Sequence, residues 1–282
     1  MNIKERAKTY RSDVKPIWCP GCGDYAVLNS LTTALAELEI PPEMVAIASG
    51  IGCSGRFPAF TSAYGFHGVH GRPLPLATGM KMANPELTVF AVGGDGDGFS
   101  IGAGHLPHAA RRDVDLTYIV MDNRLYSLTK GQPSPTSPVG TKRKASPYGT
   151  VETPLNPMAM MIAYGATFVA QAFSGKPKEM TKVIEEAIQH KGFSFVHVLS
   201  PCVTFYDTYR QFRAIATPVP EGHDYTDQVK AFELALDESK LYLGVFYKKE
   251  DTIPFHERLN SVRPEQRDRV TLMRELIDYY RP

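Results

Sequence analysis

A chain of 282 residues can bury a sizeable core and sits at the upper edge of what one α/β domain usually contains. Its 31 Lys and Arg nearly cancel its 30 Asp and Glu, so no overall field favours nucleic acid or an anionic membrane, and small molecules or proteins are the expected partners. The start, MNIKERAKTYRSDVKPIW, carries charges where a secretory leader needs an apolar run, and no uninterrupted apolar stretch of about 18 residues occurs. A cytoplasmic protein is therefore expected, and in a reducing compartment its four cysteines read as core thiols, metal ligands or redox groups rather than disulfides.

In chain order, helical spacing behind an acidic residue predicts a helix over Asp24–Leu38, and apolar runs predict strands over 44–49, 87–92, 116–121, 166–171 and 193–200. A helix is expected over Phe99–Arg112 and another over Lys178–His190. Between Tyr126 and Pro157 lies a long loop rich in proline and glycine, of a kind that is usually functional inside a compact domain. Beyond an irregular stretch from about 203 to 221, helices are expected over Tyr225–Leu236 and Glu265–Tyr280. The pattern is α/β: a doubly wound parallel sheet over residues 15–205, followed by a C-terminal extension, 206–282, that packs on the domain or on a partner subunit. Four strands are each followed at once by a conspicuous loop, GIGCSGR, GGDGDG, DNRLYSLTKGQ and PC. Ligands of open parallel sheets bind outside the carboxyl ends of the strands, so these candidates share one edge.

Gly94-Asp95-Gly96 follows a strand and opens onto a helix, where glycines let backbone N–H groups approach an anionic ligand. After 25 intervening residues, Asp122-Asn123 ends the next strand. Magnesium takes one or two protein oxygens plus phosphate oxygens and water, so Asp95, Asn123 and the backbone carbonyl of Leu125 form a candidate site. Gly-Asp-Gly alone would be a tight turn and Asp-Asn alone a strand end, but their spacing favours function. The combination resembles the thiamine-diphosphate enzymes, with Asp122 in place of the first Asn of their usual pair and the metal-binding Asn123 retained.

Cys19 and Cys22 lie in a glycine-rich turn, and Cys53 and Cys202 both follow strand ends on the proposed ligand edge. Four thiolates gathered from distant positions suit a [4Fe–4S] centre, although zinc would accept them and unrelated thiols also remain open. WCPGCG (18–23), GIGCSGR (50–56), the HGR-x-LP-x-ATG-x-K run (70–81), GDGD (94–97), DNRLYSLTKGQ (122–132) and SPC (200–202) occur in an order that resembles the β subunits of 2-oxoacid:ferredoxin oxidoreductases. That resemblance covers roughly residues 15 to 250. It implies that Cys19, Cys22, Cys53 and Cys202 ligate one [4Fe–4S] cluster. It further implies thiamine diphosphate contacts by Ile51, Gly52, Cys53, Ser54, His70, Gly94, Gly96, Asp97, Ser127 and Leu128. Gly98 stands where relatives often have alanine.

The implied activity is oxidative decarboxylation of a 2-oxoacid to an acyl-CoA and CO₂, reversible in principle, with electrons leaving through the cluster to a ferredoxin. Arg56, Leu128 and Lys130 are the candidate substrate residues. Lys130 stands where pyruvate-specific relatives tend to have glycine, and a remote carboxylate would want a cation, so 2-oxoglutarate is favoured over pyruvate or a broad range of 2-oxoacids. The chain is too short for a second thiamine-binding module, so the activating glutamate is expected on an α subunit, in an (αβ)₂ assembly. Rival readings are a non-redox thiamine enzyme subunit and a zinc-stabilised binding module. The run Lys142-Arg143-Lys144 could help to dock an acidic ferredoxin, but such runs are usually solvated faces. His197 reads as a core histidine, His105 and His108 as lining a packed helix face, and His67 with His70 lacks an acidic companion for metal binding.

Overall fold

The structure is a computed structural model that describes residues 2–262 and 268–281. Two helices, α1 (Ile3–Thr9) and α2 (Asp24–Glu37), precede strands β1 (Val45–Ser49) and β2 (Tyr64–His67). Then come α3 (Pro73–Ala83), β3 (Thr88–Gly94), α4 (Leu106–Arg112), β4 (Leu116–Asp122) and a two-stranded hairpin, β5 (Leu125–Tyr126) with β6 (Gln132–Pro133). After the long loop follow α5 (Pro157–Ala163), β7 (Phe168–Phe173), α6 (Pro177–Gln189) and β8 (Phe193–Leu199). The chain continues through α7 (Tyr209–Ile215), β9 (Ala216–Pro218), α8 (Gln228–Leu236), β10 (Leu241–Lys248), α9 (Phe255–Ser261) and α10 (Arg269–Tyr279).

The eight-stranded sheet runs β2-β1-β3-β4-β8-β7-β10-β9. The first six strands in that order pair in parallel, while β10 runs antiparallel to β7. The central strands are buried along their whole length because helices cover both faces. Alternate residues take opposite faces, as a two-residue period requires. Ala46, Ala91, Tyr118, Val120 and Phe195 pack with residues of α3, α4 and α5, whereas Ile47, Val92, Ile119, Met121 and Val198 pack with α2 and α6.

All five strands expected from apolar runs are present within two or three residues. The sheet holds three further strands, β2, β9 and β10. Strand β2 is four fully exposed residues at the sheet edge, with no alternation to betray it. Strand β10 belongs to the segment beyond 205 and joins the same sheet; Gly244 at φ +131 and a bulge between Val245 and Tyr247 break its period of two. The helix expected over 99–112 is broken into a π turn at Asp97–Ile101, a 3₁₀ turn and a short α4. Gly102 and Gly104 weaken that stretch and Pro107 starts α4 at its first turn. Of the helix expected over 265–280, the part before 268 lies outside the described residues. Among the described residues no helix is long and apolar enough to cross a membrane.

Candidate thiamine diphosphate site

Strands β1, β3, β4 and β8 are neighbours and parallel, so the loops after them emerge side by side. The first three of those loops, with the β5 turn, line an open cleft. Its lining includes Ile51–Ser54, His70, Gly94–Asp97, Asn123, Leu125 and Ser127–Leu128, which are the residues expected to hold thiamine and magnesium. Tyr126 and Thr129 line it as well and were not anticipated. Arg56 and Lys130 do not line it: Lys130 sits on an exposed turn at φ +78, and Arg56 acts on the Cys53 thiol instead.

Asp95 and Asp122 are both buried, and one hydroxyl lies between them. Thr136 Oγ1 is 3.1 Å from Asp95 Oδ2 and 2.9 Å from Asp122 Oδ1. A hydroxyl has one proton, so it serves only one carboxylate at a time. Asp122 has other partners. Its Oδ1 accepts the Arg124 N–H at 2.7 Å and its Oδ2 faces His197 Nε2 at 2.8 Å, whose other ring nitrogen is 2.9 Å from Gln171 Oε1. Burial works to raise Asp122, but His197 and Arg124 outweigh it and hold the carboxyl below its ordinary range. Among the described residues no cation pairs with Asp95. Burial first, and the charge of Asp122 second, raise it well above the ordinary carboxylate range. An oxygen-rich pocket with an uncompensated carboxylate fits a hard cation.

Asn123 Oδ1 accepts the Leu125 N–H at 3.1 Å and the Ser127 hydroxyl at 2.9 Å, an Asx turn that aims the side chain into the cleft. A metal at that oxygen would displace one of them, and the hydroxyl can rotate away without breaking the turn. Asp97 has a different task. Its Oδ1 accepts the N–H groups of Ile51 and Gly71, each at 2.8 Å, and lies 2.9 Å from His70 Nδ1. It thereby ties three cleft loops together. Gly50 must be glycine, because a Cβ there would lie 1.9 Å from Asp97 Oδ2, and a Cβ at Gly96 would lie 2.2 Å from the Tyr126 ring.

Gly98 follows the same logic: a Cβ would stand 2.3 Å from the buried Tyr118 hydroxyl. Gly98→Ala is therefore expected to lower stability by about 1–3 kcal/mol, and Tyr118→Phe in the same chain to restore most of the loss. Thermal unfolding of the two single variants and the double variant reads this directly.

The cysteines gather beside the cleft. Cys53 lines it, and Trp18 Nε1–H fixes that loop by donating to Cys53 O at 2.8 Å. The charges of Cys53 and Cys202 act on Cys22, and those of Cys202 and Cys19 on Cys53, so Cys53 lies within electrostatic reach of the other three thiols. Burial, then Asp24, pushes Cys53 up to about 12 and raises Cys22 as well. Asp24 is itself buried, raised to about 6 by desolvation, and accepts the Ser200 hydroxyl at 2.6 Å. Among the described residues no three His, Cys, Asp or Glu side chains converge closely enough to hold a single ion.

The comparisons agree with this geometry. Residues 50–198 match the thiamine pyrophosphate enzyme C-terminal TPP-binding domain, and residues 202–264 match the C-terminal part of the pyruvate ferredoxin oxidoreductase beta subunit. The 2-oxoacid:ferredoxin oxidoreductase 2 subunit beta of Aeropyrum pernix is 36% identical over 269 residues, 90% of this chain and 87% of the relative. The chain belongs to the beta subunits of the 2-oxoacid:ferredoxin oxidoreductases. As such a subunit it is one part of a multi-subunit thiamine-dependent oxidoreductase. The 2-oxoglutarate synthase subunit KorB of Methanocaldococcus jannaschii is 37% identical over 92% of this beta subunit and 98% of the relative. The 2-oxoglutarate oxidoreductase subunit KorB of Mycobacterium tuberculosis is 44% identical over 72% of it, a match spanning 54% of that relative. A chain of the 2-oxoglutarate:ferredoxin oxidoreductase from Magnetococcus marinus, solved with 2-oxoglutarate, coenzyme A and succinyl-CoA bound, superposes with a TM-score of 0.91 at 44% identity, covering 98% of this subunit and 96% of that chain.

Proposed function

We propose that this beta subunit serves a 2-oxoglutarate:ferredoxin oxidoreductase, converting 2-oxoglutarate and coenzyme A to succinyl-CoA and CO₂ in concert with an α subunit. The observation that carries the reading is the shared loop: Cys53 belongs both to the thiamine cleft and to the cysteine group. Thiamine diphosphate supplies the electron sink for cleavage next to the 2-oxo carbon, and a [4Fe–4S] cluster supplies a one-electron acceptor. Asp95 and Asn123, with the Leu125 carbonyl, would hold Mg²⁺ against the diphosphate. Ile51–Ser54 would bring the cluster ligand Cys53 next to the cofactor, and Asp97 keeps that loop in register with His70 and Gly71. Thr136 and the Asp122–His197 pair hold Asp95 in place and keep the second carboxylate compensated.

Among the described residues no three His, Cys, Asp or Glu side chains converge on a single-ion site, which supports a polynuclear cluster over zinc. An exposed apolar rim around the cleft, Val69, Ile101 and Leu128, supports a covering α subunit that brings the activating glutamate. The assembly we propose is (αβ)₂, in the cytoplasm. The 2-oxoglutarate preference is supported by the names of the relatives; Lys130 would contribute only by turning inward from its exposed position.

The test is reduction of methyl viologen by the co-purified complex under anaerobic conditions with coenzyme A. We expect kcat/KM for 2-oxoglutarate to exceed that for pyruvate. A complex that turns over pyruvate alone would refute the substrate assignment, and full activity of the isolated subunit would refute the division of labour.

A further inference from the structure

The long loop brings the cations Lys142, Arg143 and Lys144 to the segment that carries Cys202. Arg143 and Ser146 close a short antiparallel bridge with paired N–H···O bonds of 3.1 and 2.9 Å, so the tip is an ordered turn. The Arg143 guanidinium lies 5.0 Å over the ring of Tyr206. Tyr206 is in turn bridged to Cys202, its N–H donating to Cys202 O at 2.8 Å. One aromatic ring thus separates the basic tip from a cysteine segment. On the other side of the cysteine group Cys19 is exposed, and Gly21 in the same turn faces Val203. A second cation is fixed in the same manner, Arg213 lying 5.7 Å over Tyr209 in α7.

Segments 138–150 and 202–215 hold five cations, Lys142, Arg143, Lys144, Arg210 and Arg213, against one carboxylate, Asp207. The chain as a whole carries a net charge of only +1, so this positive region is local. Lys142, Lys144, Arg210 and Arg213 are exposed. Cations held over rings lose less freedom on binding, and a positive field beside a redox group steers an acidic partner into a productive encounter.

We propose that the Lys142–Lys144 tip, together with the Arg210 and Arg213 side chains of α7, is the docking surface for an acidic one-electron carrier protein, which takes electrons from the Cys19 and Cys202 side of the cysteine group. The proposal rests on the oxidoreductase reading above. One electron passes per encounter, the carrier being reduced and the subunit's redox group oxidised.

The experiment compares the anaerobic complex with its Lys142→Glu/Lys144→Glu double variant, using an acidic low-potential ferredoxin as the carrier and methyl viologen as an acceptor that needs no docking surface. We expect KM for ferredoxin to rise about tenfold at low ionic strength, with the difference shrinking as salt is added, while the viologen rate stays unchanged. A ferredoxin KM within about twofold of the unmodified complex would overturn the proposal. So would failure of the variant to assemble with its partner subunit, which would assign this face to the subunit contact. Failure of the functional reading shows differently, as absence of viologen reduction by the unmodified complex from any 2-oxoacid. In that case direct binding of oxidised ferredoxin to the two complexes, followed by interferometry, still decides whether the surface docks the carrier.

Discussion

Replacing Asp95 by Asn is expected to weaken magnesium-dependent binding of thiamine diphosphate to the complex by more than about a hundredfold, with little loss of stability. The two effects separate because Asp95 is a buried carboxylate without a cationic partner among the described residues. In the free protein burial and the charge of Asp122 raise it well above the ordinary carboxylate range, so a neutral amide of the same shape costs the fold little. The bound cation, in contrast, loses a charged oxygen ligand. Thr136→Val should lie between, at about tenfold to a hundredfold, since the hydroxyl positions Asp95 without touching the cofactor. Calorimetric titration with thiamine diphosphate and Mg²⁺ separates these variants. Equal affinities in Asp95→Asn and the unmodified complex would remove magnesium from this site.

The second large effect concerns the cysteines, and it distinguishes two that look alike in the sequence. Cys202→Ala should cost the cluster, seen as loss of the broad absorbance near 400 nm and a fall in ferredoxin reduction of roughly a thousandfold or more, yet leave thiamine binding within about threefold. Cys202 is buried beside Tyr206 and does not line the cleft. Cys53→Ala should cost both, because its loop forms a wall of the cofactor cleft. Thiamine affinity equally reduced by both substitutions would mean that the two sites are not joined through Cys53 alone.

How far the site could be read in the sequence follows from how local its determinants are. Asp95 and Asn123 each sit one residue past a strand, and strand ends are marked by apolar runs and by Gly-Asp or Asp-Asn turns, so spacing sufficed to pair them. The strands β1, β3, β4, β7 and β8 were visible for the same reason. Thr136 was not, because nothing within a proline-rich loop says which hydroxyl will fold back between two carboxylates. His197 was read as a core histidine, and it is buried. Its pairing with Asp122 depends on β4 and β8 being neighbours in a register that puts Val120 opposite His197, with Asp122 and His197 on one face of the sheet. Period-two parity supplies half of that information and strand order the rest. Arg56 and Lys130 are expected substrate residues from their position near motifs, but neither lines the cleft of this subunit alone, and the left-handed Lys130 lies on an exposed turn.

The measurement that bears most directly on the account is the metal and cofactor content of the complex purified under strictly anaerobic conditions. Per beta subunit we predict about four iron, four acid-labile sulfide, one Mg²⁺ and one thiamine diphosphate, with no zinc. Zinc in place of iron, or thiamine diphosphate without iron and sulfide, would contradict the joining of a thiamine site to an iron–sulfur site at Cys53.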